Sequence, residues 1–126
     1  MSLNAKKSIV VCLTLVLFFA GIAIGMQGAE KPESVIHVVT LDWADGATAE
    51  AKQAALDGVA QLAEDYDGIT RVWIRSIKSQ TKEAAFVMEF KDEQALKDYS
   101  GSDAQKKWYE VYLPARGRST TSDITN

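Results

Sequence analysis

The stretch VIHVVTLDW, residues 35–43, is the strongest constraint on what this chain can fold into. Its side chains alternate with the period of two of a β-strand. Both resulting rows are apolar at their centre: Val35, Val39 and Leu41 on one side, Ile36 and Val38 on the other. Such a strand has to be covered twice, once on each face of its sheet. AAFVMEF, residues 84–90, repeats the pattern, with Ala84, Phe86, Met88 and Phe90 opposing Ala85, Val87 and Glu89.

The intervening and following segments supply one cover. ADGAT is a turn, with Gly46 free to take positive φ and Thr48 placed to cap a helix. AEAKQAALDGVAQLAEDY carries an apolar stripe at helical spacing: Ala55, Leu56, Val59, Ala60, Leu62 and Ala63. Glu50 suits the positive end of its dipole, and Gly68 is the expected C-cap. ITRVWIRSIKS, residues 69–79, is rich in β-branched and aromatic residues and reads as a second strand. After AAFVMEF come two short helices, KDEQALKDYSG and SDAQKKWYEVYL, the second expected to stop at Pro114. The tail ARGRSTTSDITN is polar, and a last strand there is the weakest element of the reading. The order β-α-β-β-α(α)-β is that of an α+β, ferredoxin-like split βαβ protomer, an antiparallel sheet with helices on one face.

Helices on one face leave Ile36, Val38 and Val87 bare on the other. The chain has nothing left to cover them, and large bare apolar patches are rare on monomers. A second copy is the simplest cover, sheet against sheet at ~10 Å. The pattern therefore predicts a homodimer.

Residues 1–29 stand apart. MSLNAKK is a short positive segment, an apolar run from residue 8 to 26 follows, and QGAEKPE is small and polar. This reads as an export signal or, if uncleaved, an N-terminal membrane anchor. Residues 30–34 are then a tether and 35–126 the folded domain, placed outside the cytoplasm or held at the membrane by residues 8–26. Cys12, the single cysteine, lies in the apolar run. The folded domain thus has neither a disulfide nor thiol chemistry.

A net charge of −3 without a basic face argues against nucleic acid as a partner. One histidine and no cysteine in the domain give no metal site, and no phosphate loop or nucleophile elbow is present, so no cofactor is expected. EDYDG lacks the spacing of a calcium loop and reads as a helix end. Arg71, Arg75, Lys78 and Lys82 suit a solvated strand edge.

The one histidine, His37, sits among large apolar side chains, and three roles stay open: a base, a ligand contact, or a satisfied core imidazole. Tyr99 and Trp108 either line a pocket with polar handles or seat the last helices. IHVVTLDWADGATAEAKQAAL, GITRVWIRS and AAFVMEFKDEQALKDYSGSDAQKKW together resemble the stress-responsive A/B barrel (Dabb) domain, over residues 35–126. The resemblance implies a dimeric α+β barrel. It also implies a small-molecule pocket formed by His37, Val39, Leu41, Leu56, Val59, Phe86, Tyr99, Gln105, Trp108 and Val111. Antibiotic-biosynthesis monooxygenases share the fold.

The chain departs from the cyclase-like members of the family. Their Y-x-x-H-P-x-H stands where this chain has YSGSDAQ: Tyr99 matches the tyrosine, but Ser102 and Gln105 replace the histidines. Glutamine has no titratable proton and cannot act as a base. The leading expectation is thus a homodimer that binds a small apolar or aromatic molecule. The alternatives are a cofactor-free enzyme, monooxygenase-like or cyclase-like, with His37 and Tyr99 as catalytic candidates, and a structural stress protein whose pocket is filled by its own side chains.

Overall fold

The computed structural model describes residues 28–126. The apolar run at 8–26, read above as signal or anchor, lies outside the described residues. Among the described residues no helix is long and apolar enough to cross a membrane.

The elements are β1 (Val35–Trp43), α1 (Ala49–Asp65), β2 (Ile69–Trp73), β3 (Ala84–Phe90), α2 (Glu93–Tyr99), α3 (Asp103–Ala115) and β4 (Arg116–Ile124). They form one antiparallel sheet in the order β2-β3-β1-β4. This is the ferredoxin-like arrangement expected from the element order. Alternation decides which side chains meet the helices. Val35, Val39 and Leu41 of β1 and Phe86, Met88 and Phe90 of β3 are buried beneath them. Burying these side chains is the main stabilising term, at roughly 1.5–3 kcal/mol each.

Each helix starts on a side-chain cap. Thr48, Asp92 and Ser102 accept hydrogen bonds from the backbone N–H of Ala51, Ala95 and Gln105, respectively. Gly46 and Gly101 take positive φ, +78° and +80°, in the turns before α1 and α3. α1 and α3 cross at Gly58, where an added Cβ would lie 2.6 Å from the Trp108 ring. Lys107 of α3 pairs with Asp65 at the end of α1.

Three local expectations are corrected. Gly68 is not the C-cap of α1: Tyr66 is, in an extended conformation. Gly68 instead has negative φ and is needed because a Cβ there would strike the Tyr66 ring at 2.3 Å. β2 ends at Trp73 rather than near Ser79. Beyond it the Ser76 hydroxyl accepts from Ala85 N–H and donates to Ala85 C=O, replacing the backbone partner a longer strand would supply. Ile77 is left 94% exposed. Pro114 does not stop α3, which runs to Ala115. A proline in the last turn gives up one helical hydrogen bond, and Arg116 N–H closes the end on Tyr112 C=O. The last strand, the weakest element of the sequence reading, is present as β4, nine residues long and paired with β1 from Ile36 to Trp43. At Gly117 its backbone passes so close to β1 that a Cβ would meet the Trp43 carbonyl at 2.7 Å.

On the outer face Ile36, Val38 and Val87 are partly buried, and Trp73 and Ile124 are exposed. The same face holds the buried carboxylate Glu89, covered by Arg71 and Ser34. Arg71 also lies over the Trp73 ring. Hydrogen bonds from Arg71 first, and then from Ser34, hold the Glu89 carboxyl below its ordinary value. A group whose pKa is depressed by folding stabilises the fold above the unfolded-state pKa, and loses that contribution as pH falls through the folded-state value. Stability measured by urea unfolding should therefore decline on acidification below about pH 5. Glu89→Gln should flatten that decline. An unchanged acid limb in the variant would remove Glu89 as a source of it.

Candidate functional site

α2 and α3 face the β1–β4 end of the sheet across a gap. Between them and the end of β1–β4 is a cavity of about 350 Å³. Its sheet side is His37 and Val39 of β1, Phe86 of β3, and Ser119, Thr121 and Asp123 of β4. Its helix side is Leu96, Lys97 and Tyr99 of α2, Ser100 just after it, and Gln105, Trp108, Tyr109 and Tyr112 of α3, with Arg116 at the corner. The antiparallel register explains the sheet side. His37, Val39 and Leu41 stand opposite Asp123, Thr121 and Ser119, so each pair shares a face.

Of the ten pocket residues expected from the sequence, six line this cavity: His37, Val39, Phe86, Tyr99, Gln105 and Trp108. Leu41 and Val59 do not; both are 0% exposed in the closed core. Leu56 faces a separate groove with Trp43 and Ile74. Val111 is 44% exposed on the other side of α3. Helical phase accounts for the last error. From Trp108 the cavity face continues at i+4, which is Tyr112, not at i+3. Trp108 and Tyr112 stack with ring centroids 4.2 Å apart and planes 13° from parallel. Trp108 is held in place by donating Nε1–H to the Ala55 carbonyl at 3.0 Å. Phe86 meets both rings edge-on.

His37 is neither a core imidazole bonded to backbone nor a partner of Tyr99. Its Nδ1 lies 2.5 Å from Asp123 Oδ1. The imidazole is 14% exposed and the carboxylate 46%. A carboxylate on Nδ1 holds the neutral ring's proton there and leaves the Nε2 lone pair free to accept. The His37 and Tyr99 rings meet edge-on at 6.5 Å, without a hydrogen bond between them. Burial pushes the Tyr99 hydroxyl far above its ordinary pKa, against a smaller downward pull from Gln105. Tyr99 is therefore a protonated hydroxyl at neutral pH and not a base. Gln105 spans the mouth, accepting from Gly101 N–H and donating to the Tyr109 hydroxyl.

Sequence reasoning missed Asp123, Thr121, Ser119, Arg116, Tyr109 and Tyr112. The available signal was the alternation Ser119-x-Thr121-x-Asp123 in the tail. As an edge strand antiparallel to β1, it brings a carboxylate back to the level of His37.

These features define a class: a ferredoxin-like α+β domain with a polar-and-aromatic cavity between sheet and helices. The match to the stress responsive A/B barrel domain family spans residues 35–126, and the chain belongs to that family. Among solved structures, a Dabb family protein with a ferredoxin-like fold from Mesorhizobium loti is 17% identical, with a TM-score of 0.62, covering 74% of this chain and 96% of its own. A dimeric ferredoxin-like protein from Thermobifida fusca is 10% identical, with a TM-score of 0.63, covering 79% and 97%. SnoaB, a cofactor-independent oxygenase from Streptomyces nogalater, is 10% identical, with a TM-score of 0.62, covering 75% and 93%. At these identities the likeness is one of fold. Comparison with curated protein sequences finds no match.

Among the described residues, the Tyr99 hydroxyl is buried without a hydrogen-bond partner. A buried unpaired hydroxyl costs stability, and removing it relieves that cost. Tyr99→Phe should raise the unfolding free energy of the ligand-free protein by about 1 kcal/mol. A loss of similar size in the urea midpoint would show that the hydroxyl is satisfied after all.

Proposed function

We propose that this protein binds a small aromatic or apolar molecule in the cavity beside His37 and Tyr99. The observation that carries the reading is the division of the cavity wall. Stacked and edge-on rings line the α3 side, and hydrogen-bonding side chains line the β4 side. Sites for small organic ligands combine ring surface with convergent polar groups, and here the polar groups make up the larger share of the wall. The space left between those walls weighs against a pocket filled by the protein's own side chains. His37, held by Asp123, is the orienting polar group.

The protein is further proposed to work as a homodimer, exported or anchored by residues 8–26. The unpaired apolar face of Ile36, Val38 and Val87 supports the dimer, as does the dimeric state of the Thermobifida fusca neighbour. Native mass spectrometry of the full chain, released from mild detergent, tests both proposals. The expected result is twice the chain mass with a bound organic compound, lost in His37→Ala. An empty dimer that also fails to take up small aromatic compounds would sink the binding reading. Val87→Arg should give a monomer by light scattering, because it puts a charge into the proposed interface. A monomer already at micromolar concentration in the unaltered protein would end the dimer proposal.

A second reading is favoured by the His37–Asp123 pair. Imidazole oriented by carboxylate is a common arrangement for a general base, and Nε2 belongs to a cavity-lining residue. The protein would then be a cofactor-free enzyme that removes a proton from its ligand. His37 with Asp123 replaces the pairing of His37 with Tyr99 expected from the sequence. If a compound is retained, its C–H exchange in D₂O should be accelerated by the protein. Asp123→Asn should slow that exchange about 100-fold or more, in the range general-base catalysis supplies. Exchange at the solution rate leaves a binding protein only.

A further inference from the structure

We infer that the ligand of this cavity is an acid: a planar aromatic carboxylate whose anionic group is met by Arg116. The inference rests on the reading of the cavity as a ligand site. It goes further by naming the chemistry of the ligand.

Arg116 begins β4 at the point where α3 ends, so its side chain is half-buried at the cavity's corner. Its guanidinium lies 5.5 Å over the Tyr112 ring, and one Nη donates to the Ser119 hydroxyl at 3.3 Å. Its Nε is buried and has no partner among the described residues. No carboxylate in the described residues pairs with it, whereas Arg71, Lys82 and Lys107 each have one. A partly buried cation without a counter-charge is costly, and the cost is removed when an anion arrives.

Among the described residues the only acidic one lining the cavity is Asp123, and His37 already occupies it. Lys97 at the rim adds a second positive charge. Both buried side-chain polar atoms that lack a partner among the described residues, Tyr99 Oη and Arg116 Nε, belong to residues of this one cavity. A guanidinium presents paired N–H groups in the geometry of a carboxylate. Beside it the partly exposed Tyr109 ring and the margins of the buried Trp108–Tyr112 stack supply the aromatic part of the lining. Charge and ring surface together select an aromatic acid over a neutral aromatic molecule of equal size.

The test compares two probes of the same ring and size, naphthoate and its neutral analogue naphthalenemethanol, by calorimetric titration into the full chain in mild detergent. The expected result is that naphthoate binds about tenfold more tightly. Arg116→Gln should bring the two probes level, and Arg116→Lys should keep part of the preference. Equal binding of both probes to the unaltered protein would overturn the acid inference while supporting an aromatic ligand site. A preference for naphthoate that survives Arg116→Gln would overturn the role of Arg116. If neither probe binds at millimolar concentration the acid inference also fails, and the retained-ligand experiment then judges the cavity reading on its own.

Discussion

β1 lies inside the sheet and is paired on both sides, and the pairing with β4 is the interaction on which the site depends. β3 gives β1 an apolar neighbour, and the two strands bury Val39, Leu41, Phe86 and Met88 under the helices. β4 gives it a polar one. The antiparallel register sets Asp123 against His37 and Thr121 against Val39. A slip of one residue would turn Ser119, Thr121 and Asp123 to the outer face and leave His37 without its carboxylate. Gly117 permits the close approach of the two backbones where this pairing begins.

The cavity follows from a conflict between the two ends of the helical layer. Near α1 and the lower half of α3, small and aliphatic side chains close the core, and Gly58 lets the helices approach. Near α2 and the end of α3, large rings pack on β3, with Trp108 and Tyr112 against Phe86 and Tyr99 against Phe90. The Trp108 indole is tied to Ala55 and stacked on Tyr112, so the rings are fixed over β3 rather than over β4. Polar side chains on β4 cannot fill the space with apolar contact, so it stays open. The hydroxyl of Tyr99 and the Nε of Arg116 remain unpaired among the described residues. Buried polar atoms are ordinarily paired, so two exceptions around one cavity fit the proposed ligand site, where a bound molecule would complete them.

The outer face has a different character. Ile36, Val38 and Val87 form its centre, and the Glu89–Arg71–Ser34 cluster sits beside them. A charge pair next to an apolar centre is the composition of a specific interface rather than of a non-specific sticky patch, which fits the proposed dimer.

Local pattern was sufficient for most of the fold. The period of two in β1 and β3, the cap at Thr48, and the stripe in α1 each follow from interactions within a few residues. Pro114 and Gly68 were misjudged because neighbours decided their roles: Arg116 closed the helix past the proline, and the Tyr66 ring excluded a side chain at Gly68. The apolar half of the site was also partly legible, since His37, Phe86, Tyr99 and Trp108 are large side chains on recognisable elements. The β4 half was not. An edge strand lining a polar cavity has no hydrophobic alternation to reveal it, and its strand character comes from pairing with β1. The sequence by itself therefore determined the α+β class, the helix-facing rows and the bare outer face, because those depend on periodicity and burial. Only the tertiary structure decided that His37 has Asp123 as its partner, that Arg116 has no carboxylate partner among the described residues, and that both line one cavity. Those facts depend on register and on contacts between residues up to 86 positions apart.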